Sequence, residues 1–177
     1  MNKSVFIAEK PSVAQEFAKA LKVKTTRHDG YLESENTIVT WCVGHLVTMS
    51  YPEVYDIKYK RWTLETLPFL PGEFKYEVIP SVKKQFEIVK GLLNRPDVDT
   101  IYVCTDSGRA QMAGVRGKKE KRVWIDSQTE EEIIRGIKEA KDLSAYDNLS
   151  ASAYLRAKED YLMGINFSRI LTLRYGN

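Results

Sequence analysis

The sequence predicts an α/β domain with a mainly parallel β-sheet flanked by helices, followed by one long C-terminal helix. Short apolar runs alternate with segments of helical periodicity, and the runs are continuous rather than interrupted by polar residues. Strands covered by helices on both faces have this pattern, and parallel strands need helical connections between them. We therefore expect four strands, at 5–8, 37–43, 100–105 and 122–125.

Three helices are expected to accompany these strands. The first begins at Pro11, because proline is tolerated in a first helical turn, and its apolar residues recur at helical spacing. The second covers 82–93 and has Ser81 as its predicted cap. The third follows Ser127 and Glu130, which have the spacing of a capping box. These starts complete the alternation of strand and helix.

Two segments lie outside this alternation. Residues 49–80 hold four of the six prolines and several aromatic residues, so we expect an extended excursion over the surface. Residues 151–174 have a long helical pattern that ends at a glycine, a common helix terminator. The expected organisation is thus an α/β domain over 1–143, a connector over 144–150, and a C-terminal helix over 151–177 that starts a following domain.

Composition excludes several classes of protein. The chain has 177 residues, 43% of them hydrophobic, which is enough for a folded core. Its net charge of +3 is too small to indicate nucleic-acid binding by itself. The apolar runs are far shorter than the roughly 20 residues of a membrane helix, and the start lacks a secretory pattern. We expect a cytoplasmic protein without membrane contact.

Two cysteines and one charged tract have ordinary structural explanations. Cys42 and Cys104 lie in apolar, strand-like runs, where buried free thiols are more common than bridges or metal ligands. The tract at 118–122 contains three lysines and an arginine, and we expect a solvated loop there in preference to a phosphate-binding patch.

Charged side chains follow the first and third predicted strands. Glu9 and Lys10 follow the first strand, and Asp106 ends the third. Because the carboxyl ends of parallel strands meet at one edge of the sheet, Glu9 and Asp106 should be neighbours. Two adjacent carboxylates repel unless a cation stabilises them, and Mg²⁺ prefers oxygen ligands of this kind. The alternative is that both residues only cap the helices that follow.

Other candidates surround this pair. Lys10 could hold a phosphate as a point charge. Arg109 lies in a glycine-containing turn after Asp106, where backbone amides can approach an anion. His45 ends the second strand at the same edge, and both a structural and a functional role are open to it.

Five sequence blocks, in order, resemble a known family. They are FIAEKPSVAQEFAKAL, TWCVGHLV, YKRWTLETLPFLP, IYVCTDSGR and RAKEDYLMGINFSRILTLRYG. Together they are similar to the N-terminal part of type IA DNA topoisomerases of the topoisomerase III kind. The resemblance implies a TOPRIM domain, a Rossmann-like α/β fold, followed by the helix that leads to the DNA-gate domains. It implies an enzyme that breaks and rejoins single DNA strands with Mg²⁺.

The resemblance also implies roles for residues of the α/β domain. Glu9 matches a glutamate that serves proton transfer and phosphate chemistry beside Mg²⁺. Lys10 matches a lysine that stabilises the phosphate in the transition state. Asp106 matches the first acidic residue of the metal motif, so Glu9 and Asp106 are the implied metal ligands. Arg109 matches the arginine of that motif, and we assign it, with His45, to nucleic-acid binding.

The C-terminal helix matches a polar pattern beside the groove for single-stranded DNA. The matching residues include Arg156, Asn166 and Arg169, and Arg169 is the implied contact to a backbone phosphate. The alternative is an amphipathic helix that packs on its own domain.

The chain departs from the family pattern after Arg109. The family continues Glu-Gly-Glu or Glu-Gly-Gln, whereas this chain has Ala110, Gln111 and Met112. Acidic positions are therefore missing, and we expect weakened Mg²⁺ binding. The connection between the third and fourth strands is also short for a helical crossover, so a segment of about ten residues is expected to be absent.

No tyrosine of this chain lies in a motif that matches the family's nucleophile, so we expect a domain fragment that does not relax supercoiled DNA alone. Three functions remain open. The first is the TOPRIM part of a type IA topoisomerase, whose partners are single-stranded DNA and the remaining domains of the enzyme. The second is a catalytically silent DNA-binding or assembly module. The third is another TOPRIM enzyme, a primase or nuclease, against which the block RAKEDYLMGINFSR argues.

Overall fold

The computed structural model describes residues 2–105, 115 and 117–176. The strands are β1 (Lys3–Ala8), β2 (Thr26–His28), β3 (Tyr31–Glu33), β4 (Thr37–Trp41), β5 (Val47–Met49), β6 (Tyr76–Val78), β7 (Val98–Cys104), β8 (Lys119–Arg122) and β9 (Lys141–Asp142). The helices are α1 (Pro11–Ala20), α2 (Lys83–Leu93), α3 (Glu130–Lys138) and α4 (Asp147–Tyr175).

Seven strands form one sheet in the order β2-β3-β4-β1-β7-β8-β9. The four central strands, β4, β1, β7 and β8, are parallel, and the outer strands join them antiparallel. Ala8 at the end of β1 is level with Trp41 on one side and Cys104 on the other. The predicted α/β fold, a mainly parallel sheet flanked by helices with a C-terminal helix, is confirmed.

The central strand β1 has apolar side chains on both faces because helices cover both. Val5 and Ile7 pack in one core cluster, to which α2 contributes. Phe6 and Ala8 pack in a second cluster on the opposite face, with α1 and α3. This two-sided cover is the physical reason for the continuous apolar run in the sequence.

The fourth predicted strand was placed too late in the chain. The strand β8 covers Lys119–Arg122, so the tract expected to be a solvated loop is mostly a sheet strand, and that expectation is wrong. The tract pairs with β7 and β9, and its first and last residues differ in exposure because successive side chains point to opposite faces. Lys118 donates through Nζ to the carbonyl oxygens of Arg95 and Val98 at 2.5 and 2.7 Å.

Two predicted helix caps do not form. Helix α2 begins at Lys83 after a 3₁₀ turn that contains Ser81, and its start has no side-chain cap hydrogen bond. Helix α3 follows Thr129, also without a side-chain cap. Instead of a box between Ser127 and Glu130, the backbone N–H of Asp126 donates to a carboxylate oxygen of Glu132 at 3.0 Å.

The chain divides into two compact units. The first comprises the described residues of Met1–Leu46 and Ile79–Asp147, and the second those of Val47–Val78 and Asn148–Asn177. The 49–80 excursion is therefore not simply extended, since it contains three short 3₁₀ turns and the strand β6, which pairs antiparallel with β5 at the start of the second unit. Helix α4 begins at Asp147, inside the predicted connector 144–150, because a 3₁₀ turn at Leu143–Tyr146 runs directly into it.

The two cysteines are free and half-buried. Cys42 packs against the cluster on the α2 face of the sheet, and Cys104 packs against the cluster on the α1 face. Their separation by the sheet excludes a bridge between them. Within the described ranges, no helix combines the length and the apolar character needed to cross a membrane.

Candidate metal and phosphate site

The carboxyl ends of the four parallel strands lie along one edge of the sheet. Glu9 follows β1, and because Ala8 is level with Cys104, the next residues along the chain, Glu9 and Thr105, follow neighbouring strands at the same edge. The strands β1 and β7 are thus adjacent and parallel, as the predicted site requires. Asp106 and Arg109 lie outside the described residues.

Glu9 and Lys10 offer their charged groups to solvent at this edge. The Lys10 Nζ lies 3.8 Å from a Glu9 carboxylate oxygen, and their side chains are 62% and 42% exposed. Lys10 is the N-cap residue of α1, and no side-chain cap hydrogen bond is made there. Glu9 precedes this cap residue in the chain. Its carboxylate is available to a ligand.

The N-terminus of α1 adds an anion-binding element beside Lys10. Pro11 occupies the first helical turn, and that turn contains no acidic residue. A helix N-terminus presents backbone N–H groups and the positive end of the helix dipole. Lys10 and the start of α1 can therefore bind a phosphate group together.

Burial and the charge of Glu9 both act on the pKa of the Cys42 thiol. The backbone N–H of Cys42 donates to the carbonyl oxygen of Ala8 at 2.8 Å, which extends the pairing of β4 with β1 by one residue. Burial, followed by the negative charge of Glu9, raises the pKa of Cys42 to about 11. The negative charge of Glu9 thus acts on Cys42, the residue that follows β4.

Of the two predicted metal ligands, Glu9 lies within the described residues and Asp106 lies outside them. Among the residues at 2–105, 115 and 117–176, no group of three or more His, Cys, Asp or Glu side chains could enclose a metal ion. Mg²⁺ does not require such a cage, because it keeps several water ligands and commonly binds one or two carboxylates together with substrate phosphates. An accessible carboxylate beside a phosphate-binding helix start fits this kind of site.

His45 lies near the same edge. It follows β4 in a turn where Gly44 has a φ of 75°, a backbone conformation that favours glycine. The imidazole is exposed. Its contact to nucleic acid stays a prediction.

In the second unit, Asn166 is engaged with its own chain. Its Oδ1 accepts from the backbone N–H of Phe69 at 2.6 Å, and its Nδ2 donates to the carbonyl oxygens of Phe69 and Leu162 at 3.0 and 2.9 Å. The amide thus clamps the backbone of the 47–78 segment to α4. Arg156, by contrast, is exposed on the same helix.

Arg169 is 4% exposed and lies within the second unit. Its guanidinium carbon is 5.1 Å from the centre of the Trp62 ring, a cation–π distance. Its Nη1 atom is buried and makes no hydrogen bond to the described part of the chain. The contact with Trp62 was not predicted, although the aromatic residues of the 49–80 segment were its visible signal. The structure therefore brings Asn166 and Arg169 against the 47–78 segment.

A model of the Toprim domain matches residues 4–113, more than half of the chain. The chain belongs to the Toprim family. This Toprim chain is also similar to proteins named DNA topoisomerase 3. It is 48% identical to one from Bacillus cereus over 99% of its length, and 42% identical to others from Staphylococcus epidermidis and Bacillus subtilis over 98% and 99%. It spans about a quarter of the length of these curated relatives, 25% in each case.

The match to the B. cereus protein extends over 183 residues, six more than the 177 of the Toprim chain. The relative therefore has residues in the matched span with no counterpart here.

Proposed function

We propose that this chain supplies the Mg²⁺ and phosphate chemistry of a type IA DNA topoisomerase, an enzyme that breaks and rejoins single DNA strands. The observation that carries the proposal is the placement of Glu9 and Lys10 between the end of β1 and the start of α1, beside the parallel strand β7. Similarity to proteins named DNA topoisomerase 3 over nearly the whole chain supports it.

Each residue of the site has a distinct task in this proposal. Lys10 and the N-terminus of α1 bind non-bridging oxygens of a strand phosphate and offset their negative charge. Glu9 holds Mg²⁺ and can accept or return a proton at its carboxylate, and Asp106 is the second carboxylate. Mg²⁺, when bound, neutralises charge on the phosphate. Arg109 binds the strand next to these residues.

Residues at other positions are proposed to guide the strand. His45 lies near the sheet edge that holds Glu9, and Arg156 is exposed on α4. Asn166 and Arg169 remain proposed strand contacts from the family pattern, although both contact the 47–78 segment in this structure. The partners are then single-stranded DNA and the further domains of the enzyme, and the location is the cytoplasm, where bacterial DNA lies.

Strand cleavage also needs a nucleophile. In the proposed reaction a tyrosine oxygen attacks the phosphate, the bond from phosphorus to the 3′ oxygen of the preceding nucleotide breaks, and that oxygen leaves as a 3′-hydroxyl after it takes a proton. The 5′-phosphotyrosyl bond conserves the energy for rejoining. None of the ten tyrosines of this chain lies in a matching motif. We therefore expect no relaxation of supercoiled plasmid by this chain alone, and Mg²⁺-dependent relaxation would refute this part of the proposal.

Calorimetric titration with Mg²⁺ tests the site itself. We expect saturable binding by the unmodified chain and a decrease in affinity of about tenfold or more in Glu9→Gln, since even indirect partners of a metal contribute this much. Glu16→Gln is the matched control, because Glu16 is an exposed residue of α1 that pairs with Lys19 and carries the same charge. Equal Mg²⁺ binding by all three proteins would contradict the proposal.

A catalytically silent DNA-binding or assembly module is the second candidate. It is favoured by Ala110 and Met112, which stand where the family pattern has acidic residues. Such a module would bind single-stranded DNA without specific Mg²⁺ uptake. The same titration, combined with a strand-binding measurement, therefore separates the two candidates.

A further inference from the structure

Trp124 stands at the edge of the sheet that holds Glu9. Val103 is level with Arg122 in the β7–β8 pair, and Trp124 follows Arg122 by two residues, as Thr105 follows Val103. The indole is 52% exposed. Adjacent strands are about 4.8 Å apart, so β8 lies about 10 Å from β1 across the sheet.

The surrounding structure holds Trp124 in a fixed position. The guanidinium carbon of the buried Arg122 lies 5.4 Å from the ring centre, so the ring makes a cation–π contact. Helix α3 packs closely on the adjoining backbone at Gly136, where an added Cβ would lie only 2.8 Å from the carbonyl oxygen of Trp124. The exposed indole is therefore presented by a rigid support instead of a mobile loop.

An exposed, rigidly held indole beside a phosphate-binding group is typical of single-strand recognition. Proteins that bind single strands combine cationic groups that hold the backbone with aromatic side chains on which bases stack. Lys10 and the start of α1 supply the first element, and Trp124 supplies the second. The distance of about 10 Å across the sheet equals about three nucleotides at 3.4 Å each, so one short strand can reach both.

We propose that Trp124 is a stacking surface for a base of the single DNA strand whose phosphate lies at Glu9 and Lys10. The inference rests on the proposed function, because that function brings the strand to this edge. It assigns base contact to a residue that follows β8 and lies outside the family match over 4–113. The contact is independent of base identity, since every base has a face on which an indole can stack.

The test compares binding of a fluorescein-labelled thymidine 12-mer and a 12-mer with abasic sites in its centre, followed by fluorescence anisotropy. The proteins are the 177-residue chain, Trp124→Ala, Trp124→Phe and Tyr51→Ala. Tyr51 is the control because it is an exposed aromatic residue, 62%, in the other unit and has no proposed part in strand binding. Circular dichroism confirms that each variant is folded.

We expect Trp124→Ala to weaken binding of the thymidine strand by about 5- to 150-fold, the range that base–aromatic stacking produces. Trp124→Phe should keep most of the affinity, and Tyr51→Ala all of it. The abasic strand should bind the unmodified chain and Trp124→Ala equally, because its phosphates remain but its stacking partner is gone.

The outcomes separate this inference from the proposed function. If the unmodified chain binds the thymidine strand and Trp124→Ala binds it equally well, stacking on Trp124 is refuted and the proposed function stands. An equal decrease for both strands would also refute stacking, because it would mean a general loss of the binding surface. If the unmodified chain binds neither strand, the proposed function fails together with the inference.

Discussion

Replacing Asn166 by Ala removes the clamp between α4 and the 47–78 segment. The Asn166 side chain makes three hydrogen bonds, two of them to the backbone of Phe69. Phe69 is almost fully buried and is contacted edge-on by the rings of Tyr55 and Tyr59. The clamp therefore fixes the backbone at the core of the second unit.

The expected cost follows from the hydrogen bonds that are lost. Each contributes about 0.5–1.5 kcal/mol net, and a buried donor left without a partner costs about 1–3 kcal/mol. Alanine at position 166 leaves the partly buried Phe69 N–H without its acceptor. We expect Asn166→Ala to lower the free energy of unfolding of this unit by about 2–4 kcal/mol.

Hydrogen exchange at the Phe69 amide, measured by NMR, is the direct assay. Its protection should decrease by about 30- to 1,000-fold, which corresponds to 2–4 kcal/mol. Asn166→Asp keeps an acceptor for the Phe69 N–H but brings a carboxylate towards two carbonyl oxygens, so it should also lose protection at neutral pH. Ser168→Ala, an exposed change on the same helix, should change protection little.

Unchanged protection in Asn166→Ala, with single-strand binding reduced, would refute the structural reasoning. It would show that the amide serves DNA instead of the fold. Reduced protection with unchanged strand binding would show the opposite, and the role taken from the family pattern would then not apply to Asn166.

Two further predictions concern the first unit. Burial raises the pKa of the Glu33 carboxyl, but hydrogen bonds from Lys3 and Arg95 outweigh it, so the pKa lies below its ordinary 4.5. Glu33→Gln should therefore cost about 1–3 kcal/mol in urea unfolding at pH 7, and the loss should shrink as pH falls below about 4.5. Gly136→Ala should cost about 1–3 kcal/mol in the same assay, because its Cβ has no space, whereas Gly164→Ala in α4 should stabilise by about 0.5–1 kcal/mol.

Both predictions have matched controls. Glu35→Gln removes the same charge from an exposed position near Glu33 and should be nearly neutral. A Glu33→Gln loss of equal size at pH 3 and pH 7 would contradict the ion-pair explanation. Equal effects of Gly136→Ala and Gly164→Ala would show that close approach of α3 to the strand end is unimportant.

The central strands could be predicted because their environment is uniform. Strand β1 is covered by helices on both faces, so nearly all its side chains must be apolar, and the run is visible without any structural information. Strand β8 was misplaced because it has no such run. Its lysines and glutamate belong to a strand only because β7 and β9 pair with it, and pairing partners are distant in sequence.

The hairpin β2–β3 has a local sequence signal at its turn. Asp29 and Gly30 separate two three-residue strands, and Gly30 has a φ of 81°, a backbone conformation that favours glycine. A side chain at Gly30 would also meet Gln85 and Ile88, with a Cβ only 2.6 Å from the Gln85 amide oxygen. The strands themselves are too short and polar to stand out. The turn could thus be predicted from the sequence, whereas the two strands could not.

The predicted site residues of the two units, each taken by itself, differ in the same way. Glu9 could be located because its position depends only on where β1 ends and on β7 being parallel to it, and both follow from apolar runs. The roles of Asn166 and Arg169 depend on what faces α4, and a polar residue on a helix has the same sequence signature whether it meets DNA or a backbone carbonyl. In this structure the 47–78 segment supplies the partners of both residues. Asn166 and Arg169, which the family pattern assigns to DNA binding, therefore also hold α4 to that segment. Strand-binding losses in variants of α4 therefore indicate DNA contact only where the Phe69 amide keeps its protection.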